Sequence, residues 1–240
     1  MESKIVLSAI AIIAAYLLGS VPTAYLAARW SRGVDIRQYG SGNVGAANLV
    51  KLTSKWISTA VVVFDLVKPV VMVLVAKLIG LDIAQQVAIG ILAIIGHNWP
   101  IFLRFNGGRG LLTILGLAFF LPVINWLIPW EIVAFLIPAG VGLLIIHNIP
   151  LGTAAGVAAM PLASWIAGEP LAMTLGFLAM FLIMVIRRLT APKTPVTASV
   201  PTGQLLLNRL LFDRDIRDRE AWIHRKPVKQ KDKQGKGRLS

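Results

Sequence analysis

The 240-residue chain contains no cysteine, which excludes disulfides and thiolate metal sites but leaves the redox compartment undetermined. Charge is scarce: 15% of residues are Asp, Glu, Lys or Arg, against roughly 25% in soluble domains. Acidic residues are scarcer still, 11 against 24 basic ones. The three histidines, His97, His147 and His224, stand far apart and form no H-E-x-x-H or similar spacing, so no metal is expected. What is abundant is apolar sequence, 56% of residues, with a mean hydropathy of +0.73. A soluble fold has no interior large enough to hide it. The expected class is all-α, a polytopic membrane protein.

An apolar run fills residues 5–28, too long for a signal-peptide core and without a basic start, since Glu2 offsets Lys4. Further apolar segments follow near 56–80, 84–103, 110–128, 131–147, 150–167 and 170–187. Each nears or reaches the roughly 17–25 residues of a spanning helix, which predicts seven transmembrane helices. No internal repeat stands out. Arg29, Arg32, Arg37, Lys51 and Lys55 lie in the first loop, Arg104 and Arg109 in the third, and Arg187 and Arg188 open the tail. The second, fourth and sixth loops carry no Lys or Arg. This alternation predicts an outside N-terminus and a cytoplasmic C-terminus, with the first and third loops on one side. Fourteen of the basic residues lie at or beyond Arg187. A basic tail on an apolar body suits the anionic cytoplasmic leaflet, and no motif points to nucleic acid.

The first loop contains "YGSGNVGAAN" (39–48), and Gly40–Gly45 fits G-x-G-x-x-G. That dinucleotide fingerprint needs a preceding strand and a βαβ unit of about 30 residues; between two membrane spans there is room for neither. Two readings stay open: an ordinary flexible loop, or a nest whose glycines turn backbone N–H groups toward an anion, with Ser41, Asn43 and Asn48 adding polar side chains. The third loop, "GHNWPIFLRFNGGRG" (96–110), sets Arg109 between Gly107-Gly108 and Gly110, directly before a helix. Helix N-termini attract phosphate and Arg grips its oxygens bidentately; the alternative is a positive-inside anchor in a tight turn. His97 reads either as a satisfied interfacial group or as a hydrogen-bond donor or proton carrier. Asp65 and Lys68, three apart in an apolar helix, share a face, as a functional pair or a structural one. His147-Asn148 reads as a helix-end cap. Glu131 and Glu169 fall on the outer side and receive no chemistry, and the tryptophans mark interfaces. Residues 190–204 form a Pro/Thr linker, 205–224 an amphipathic helix expected on the cytoplasmic leaflet, and 225–240 a basic tail expected to be disordered.

These motifs resemble the acyl-phosphate-dependent glycerol-3-phosphate acyltransferase family of bacteria. "GSVPTAYL" (19–26) resembles its first-helix pattern, and "GVDIRQYGSGNVGAAN" (33–48) its first motif, built around S-G-N-x-G-A-x-N. "DLVK" (65–68) matches its Asp–Lys pair, and the third loop resembles G-H-x-x-P-x-F-x-x-F-x-G-G-K-G. The likeness is detailed over residues 5–116 and extends in hydropathy to 188. It implies transfer of an acyl group from acyl phosphate to glycerol 3-phosphate at a cytoplasm-facing site in the inner membrane, the first step of phospholipid synthesis, with no cofactor. It also implies the site. Ser41, Gly42, Asn43, Gly45 and Asn48 belong to the first motif; His97, Gly107, Gly108 and Gly110 to the second; Asp65 and Lys68 to the pair. Lys51 and Arg109, replacing the family's Arg and Lys, would neutralise the leaving phosphate. The third motif, H-R-x-N-I-x-R-L-x-x-G-T-E, is eroded: "VIRRLTAPKT" (185–194) keeps Arg188 and Leu189, and "LLNRLLFDRD" (206–215) is a second, incomplete echo. Pro150 and Thr153 replace serines expected beside the second substrate. The competing expectations are a divergent member that binds lipid or phosphate without turnover, and a small anion transporter.

Overall fold

Lipid offers backbone N–H and C=O groups no partners, so long apolar runs satisfy them internally, as helices. The computed structural model describes residues 2–192 and 200–223, and over those residues it is all-helical. Its helices are α1 (Glu2–Gly19), α2 (Thr23–Arg32), α3 (Ala46–Leu49), α4 (Lys55–Leu78), α5 (Ile83–Asn98), α6 (Leu111–Ile124), α7 (Trp130–Leu144), α8 (Ile149–Ile166), α9 (Leu171–Leu189), α10 (Thr202–Phe212) and α11 (Arg219–Ile223). Short 3-10 turns occupy Ile36–Gln38 and Ile101–Leu103.

Among the described residues, five stretches are long and apolar enough to cross a membrane: Ile5–Arg32, Lys55–Leu78, Ile83–Leu103, Ile149–Ile166 and Leu171–Leu189. The two other expected spans are shorter. α6 and α7 have 14 and 15 residues, about 21–23 Å at 1.5 Å per residue, below the ~30 Å of a hydrocarbon core. Each is cut off by a turn with a left-handed residue, Trp126 (φ 62°) after α6 and His147 (φ 55°) after α7.

The expected first helix, 5–28, is broken. α1 ends at Gly19 and α2 restarts at Thr23. Pro22 has no N–H to give and disfavours the helical region for Val21. The expected 205–224 helix is also not continuous: α10 ends at Asp213, which is left-handed (φ 54°), and α11 begins six residues later. Nor does α10 stand apart from the bundle. It packs on α8 and α9 and buries Leu205, Asn208 and Arg209. His224, the tail 225–240 and linker residues 193–199 lie outside the described residues.

α5 runs through the middle, in contact with α1, α4, α6 and α9. Around it the core is built from Ile94, Leu117, Leu121, Met160, Phe177 and Met180, all fully buried. In lipid, helices gain little from excluding apolar side chains from water and associate through close packing of small residues. Gly116 of α6 is such a contact: a Cβ there would stand 2.0 Å from the Leu66 carbonyl oxygen of α4. We expect Gly116→Ala to lower stability by about 1–3 kcal/mol, the usual cost of overpacking. Gly140→Ala, with nothing within 4 Å of the added carbon, should leave the thermal unfolding midpoint in detergent within error of the parent.

Candidate active site

Residues 33–54 join α2 to α4 and are tied down by their own polar groups. Asp35 caps the 3-10 turn, accepting from Arg37 N (3.0 Å), and its carboxylate meets Arg37 Nη2 at 2.6 Å. That hydrogen bond holds the Asp35 carboxyl below the usual carboxylate range, against the opposing effect of partial burial. Asn48, on the short α3, is buried. Its Nδ2 faces the carbonyl oxygens of Ile36 (3.3 Å), Tyr39 (2.9 Å) and Asn43 (3.1 Å), and its Oδ1 accepts from Ser41 N (3.2 Å). One side chain thereby fixes the whole glycine-rich turn. Ser41 Oγ in turn accepts from Asn43 N (3.3 Å).

The third loop, over residues 99–110, is clamped from α9. Arg187 donates through Nε to Gly108 O (2.9 Å) and through Nη2 to Gly107 O (2.8 Å), and lies over the Trp99 ring. Gly108 is required by close approach: a Cβ would stand 2.2 Å from His97 Nε2. Beneath the loop runs a buried polar chain. Thr23 Oγ1 donates to Asp65 Oδ1 (2.8 Å), Lys68 Nζ donates to the same oxygen (2.9 Å), and Lys68 Nζ stands 2.8 Å from His97 Nδ1. His97 Nδ1 also lies 3.5 Å from Asp65 Oδ1; with the ammonium as donor, Nδ1 accepts and the ring proton is on Nε2. The break at Pro22 is what brings Thr23 to this chain.

Arg109 follows the clamped glycines. Its Nη1 donates to Asp213 Oδ1, and its Nη2 lies 3.5 Å from the Asp213 carbonyl. Arg188 Nε stands 3.9 Å from the same carboxylate oxygen, while its Nη2 donates to Pro150 O (2.8 Å) and lies 3.5 Å from Thr153 Oγ1.

Two cavities meet here. The smaller, about 220 Å³, is polar and cationic, lined by Arg37, Ser41, Gly42, Asn43, Gly107, Arg109 and Arg187 and flanked by Asp215 and Trp222. The larger, about 720 Å³, has an apolar wall that includes Val62, Leu111, Leu112 and Met184, and a polar end with Asn43, Gly45, Asp65, His97, Arg109, Gly110, Thr153 and Arg188. Asn43 and Arg109 line both. Of the residues expected from the sequence, Gly108 packs on His97, Lys68 lies buried behind Asp65, and Asn48 works inside the first loop. Lys51 is the exception. It is exposed and lines neither cavity, because the chain turns outward after α3, where Arg32 Nε holds Leu52 O (2.9 Å). Lys55 lines the larger cavity instead.

Sequence reasoning missed Arg37, Thr23, Arg187 and Asp213. The last had a signal in the C-terminal echo: R-L-x-x-G-T-E aligns with Arg209-Leu210-Leu211-Phe212-Asp213-Arg214-Asp215. The pair at the ends of that motif is an ion pair here, Arg209 Nε to Asp215 Oδ1 at 2.8 Å. Asp213 takes the glycine position and its left-handed backbone.

Comparison with known proteins fits this geometry. The family described as Glycerol-3-phosphate acyltransferase matches residues 9–193. "Glycerol-3-phosphate acyltransferase 4" of Dehalococcoides mccartyi strain CBDB1 is 42% identical over 229 residues, covering 93% of this chain and 96% of that one. "Glycerol-3-phosphate acyltransferase 5" of strain ATCC BAA-2266 / KCTC 15142 / 195 is 44% identical, covering 89% and 91%. Among solved structures, the glycerol 3-phosphate form of PlsY (YgiH), an integral membrane glycerol 3-phosphate acyltransferase, superposes with a TM-score of 0.68 at 27% identity, over 88% of this chain and 95% of that one. Its lysophosphatidic acid form gives 0.64 at 28%, over 75% and 87%.

Because Asn48 alone ties four backbone groups together, Asn48→Ala should cost on the order of 2–3 kcal/mol by stranding buried polar groups. Asn48→Asp should cost more, since a carboxylate would face three carbonyl oxygens. Unfolding midpoints in detergent, with limited proteolysis of the 33–54 segment, check both.

Proposed function

The chain belongs to the glycerol-3-phosphate acyltransferase family, as a multi-pass membrane protein, and we propose that it transfers a fatty acyl group from acyl phosphate to the sn-1 hydroxyl of glycerol 3-phosphate, giving 1-acyl-glycerol 3-phosphate and inorganic phosphate. The observation that carries this reading is the meeting of a cationic pocket and an apolar cavity at Asn43 and Arg109. The acyl chain lies along Val62, Leu111, Leu112 and Met184, with its phosphate toward Arg109. Glycerol 3-phosphate occupies the smaller pocket, near Arg37, Ser41 and Arg187.

In the reaction, the hydroxyl oxygen attacks the acyl carbonyl carbon, the bond from that carbon to the phosphate oxygen breaks, and phosphate departs. An acyl phosphate is already activated, so the step calls for no cofactor, metal ion or covalent intermediate; positioning and electrostatic stabilisation suffice. Arg109 stabilises charge on the leaving phosphate. Asn43 and His97, which line the larger cavity, supply donors to the reacting region, and Asp65 and Lys68 hold the His97 ring. The hydroxyl proton passes to a substrate phosphate oxygen, because His97 Nδ1 is engaged by Lys68 at 2.8 Å. Gly42, Gly45, Gly107 and Gly110 let backbone come close to the anions, and Thr153 and Arg188 contact the larger cavity's reactant.

The distribution of Lys and Arg supports seven crossings, an outside N-terminus and a site facing the cytoplasm of a bacterial inner membrane. The short α6 and α7 cross where the bilayer thins locally. The bundle up to residue 189 forms the catalytic domain, and the basic C-terminal residues meet the anionic leaflet; nucleic acid is no partner.

The test is phosphate release and lysophosphatidate formation by purified protein given acyl phosphate and glycerol 3-phosphate. Arg109→Ala should lower kcat/KM by about 10²–10³-fold, the scale of one lost transition-state donor. Arg109→Lys should lose about tenfold, because charge survives while the bidentate fork does not. Equal losses would count against a charge role. Acyl phosphate binding without turnover by the parent would favour a divergent, non-catalytic member.

A further inference from the structure

The guanidinium assigned above to phosphate already holds an anion. Arg109 Nη1 donates to Asp213 Oδ1, Arg109 Nη2 lies 3.5 Å from the Asp213 carbonyl, and Arg188 Nε stands 3.9 Å from Oδ1. A carboxylate oxygen between two guanidiniums stands where a phosphate oxygen would. Asp213 also lines the larger cavity.

Asp213 comes from beyond the last long helix, and the chain is built to deliver it. Arg209 Nη1 donates to Leu189 O (2.6 Å) and Arg188 Nη1 to Leu210 O (2.8 Å), fastening α10 to α9. Asn208 Nδ2 donates to Asp215 O (3.0 Å), which folds the 213–215 turn back on α10. The residue at the apex is left-handed, φ 54°, a conformation that suits glycine and that aspartate adopts at some cost. Aspartate is among the few side chains that take this conformation, and here it brings a carboxylate to the turn. Its side chain remains 24% exposed, so it has water to turn into.

We propose that Asp213 is an internal anion that occupies the phosphate position of Arg109 and Arg188 in the empty site, and that the phosphate of a reactant must displace it. Asp213 thereby sets the affinity of the site for phosphate. This rests on the assignment of Arg109 as a phosphate ligand. It is distinct from a positioning role, in which Asp213 would aim Arg109 at the reactant and its removal would weaken binding.

The experiment titrates inorganic phosphate into full-length protein in detergent at fixed ionic strength, by calorimetry. Asp213→Asn keeps the shape of the side chain; Asp213→Gly suits the left-handed backbone and so guards against misfolding. Asp82→Asn, at the start of α5, makes the same change of charge at the opposite end of that helix from His97. The dissociation constant should fall about tenfold or more in both Asp213 variants, the scale of one charge-assisted hydrogen bond, and stay unchanged in Asp82→Asn. In the coupled assay the KM for acyl phosphate, the reactant whose phosphate is assigned to Arg109, should fall with it. A constant unchanged or raised in either Asp213 variant, undetectable binding in both, or equal tightening in Asp82→Asn overturns the proposal. Failure of the acyltransferase reading shows separately, as absence of turnover in the parent, because phosphate binding is read without turnover.

Discussion

The contact on which the site most depends is Arg187 reaching from the end of α9 to the carbonyl oxygens of Gly107 and Gly108. It joins a helix late in the chain to a loop 80 residues earlier, and it fixes where Arg109 begins. Arg187 is 3% exposed, so its charge has lost most of its water. Two carbonyl oxygens and the Trp99 ring replace that water, and charge-assisted bonds of this kind are among the stronger ones available. Losing either carbonyl would leave a buried cation short of partners, which is why the loop and α9 behave as one piece. Substituting Gly107 or Gly108 would force the loop off its seat, as a Cβ at either position would run into His97.

A second constraint lies one layer deeper. Asp65 and Lys68 are nearly excluded from water, and a lone charge in that setting would be very costly. They neutralise one another, and Thr23 and His97 take up further hydrogen-bonding capacity. This network links α2, α4 and α5, so the helix break at Pro22, the Asp–Lys spacing and the position of His97 answer one requirement. At the other ends of the helices the structure buries a different acid, Glu131, near Glu169; Ser164 Oγ donates to Glu169 Oε2 at 2.8 Å. Sequence reasoning placed both glutamates on the outer side without chemistry, and they stand at the ends of α7, α8 and α9 remote from Arg187.

Much of the site was legible because its residues sit in short, dense motifs. Ser41, Asn43, Gly107 and Arg109 could be named from glycine-rich loops on one predicted side, and the structure brings those four to one pocket. The misreadings share a cause, which is that a one-dimensional pattern carries no direction. Lys51 looked like a site cation because it follows the first motif, but a turn after α3 carries it outward. Arg187 read only as one of the basic residues that open the tail, since an arginine at the end of a span looks the same whether it faces headgroups or a loop. The apolar spacing over 205–224 fits a lipid leaflet and a protein groove equally well. Only the packing of α10 on α8 and α9 separates the two, and with it the delivery of Asp213 and Asp215 to the rim.

The charge inventory bears on how the proposed transfer runs. Among the described residues, three guanidiniums and the Asp215 carboxylate line the smaller pocket; Arg37 is balanced by Asp35, Arg109 by Asp213 and Asp215 by Arg209, while Arg187 is held by carbonyl oxygens. Under the proposed reaction, the incoming glycerol 3-phosphate supplies the missing negative charge. Ser41 lines that pocket, while His97 lines the larger cavity with Nδ1 2.8 Å from Lys68 Nζ. The acyl group of the proposed donor is already activated, so under that proposal direct attack by the substrate hydroxyl asks the protein for position and charge rather than a covalent handle.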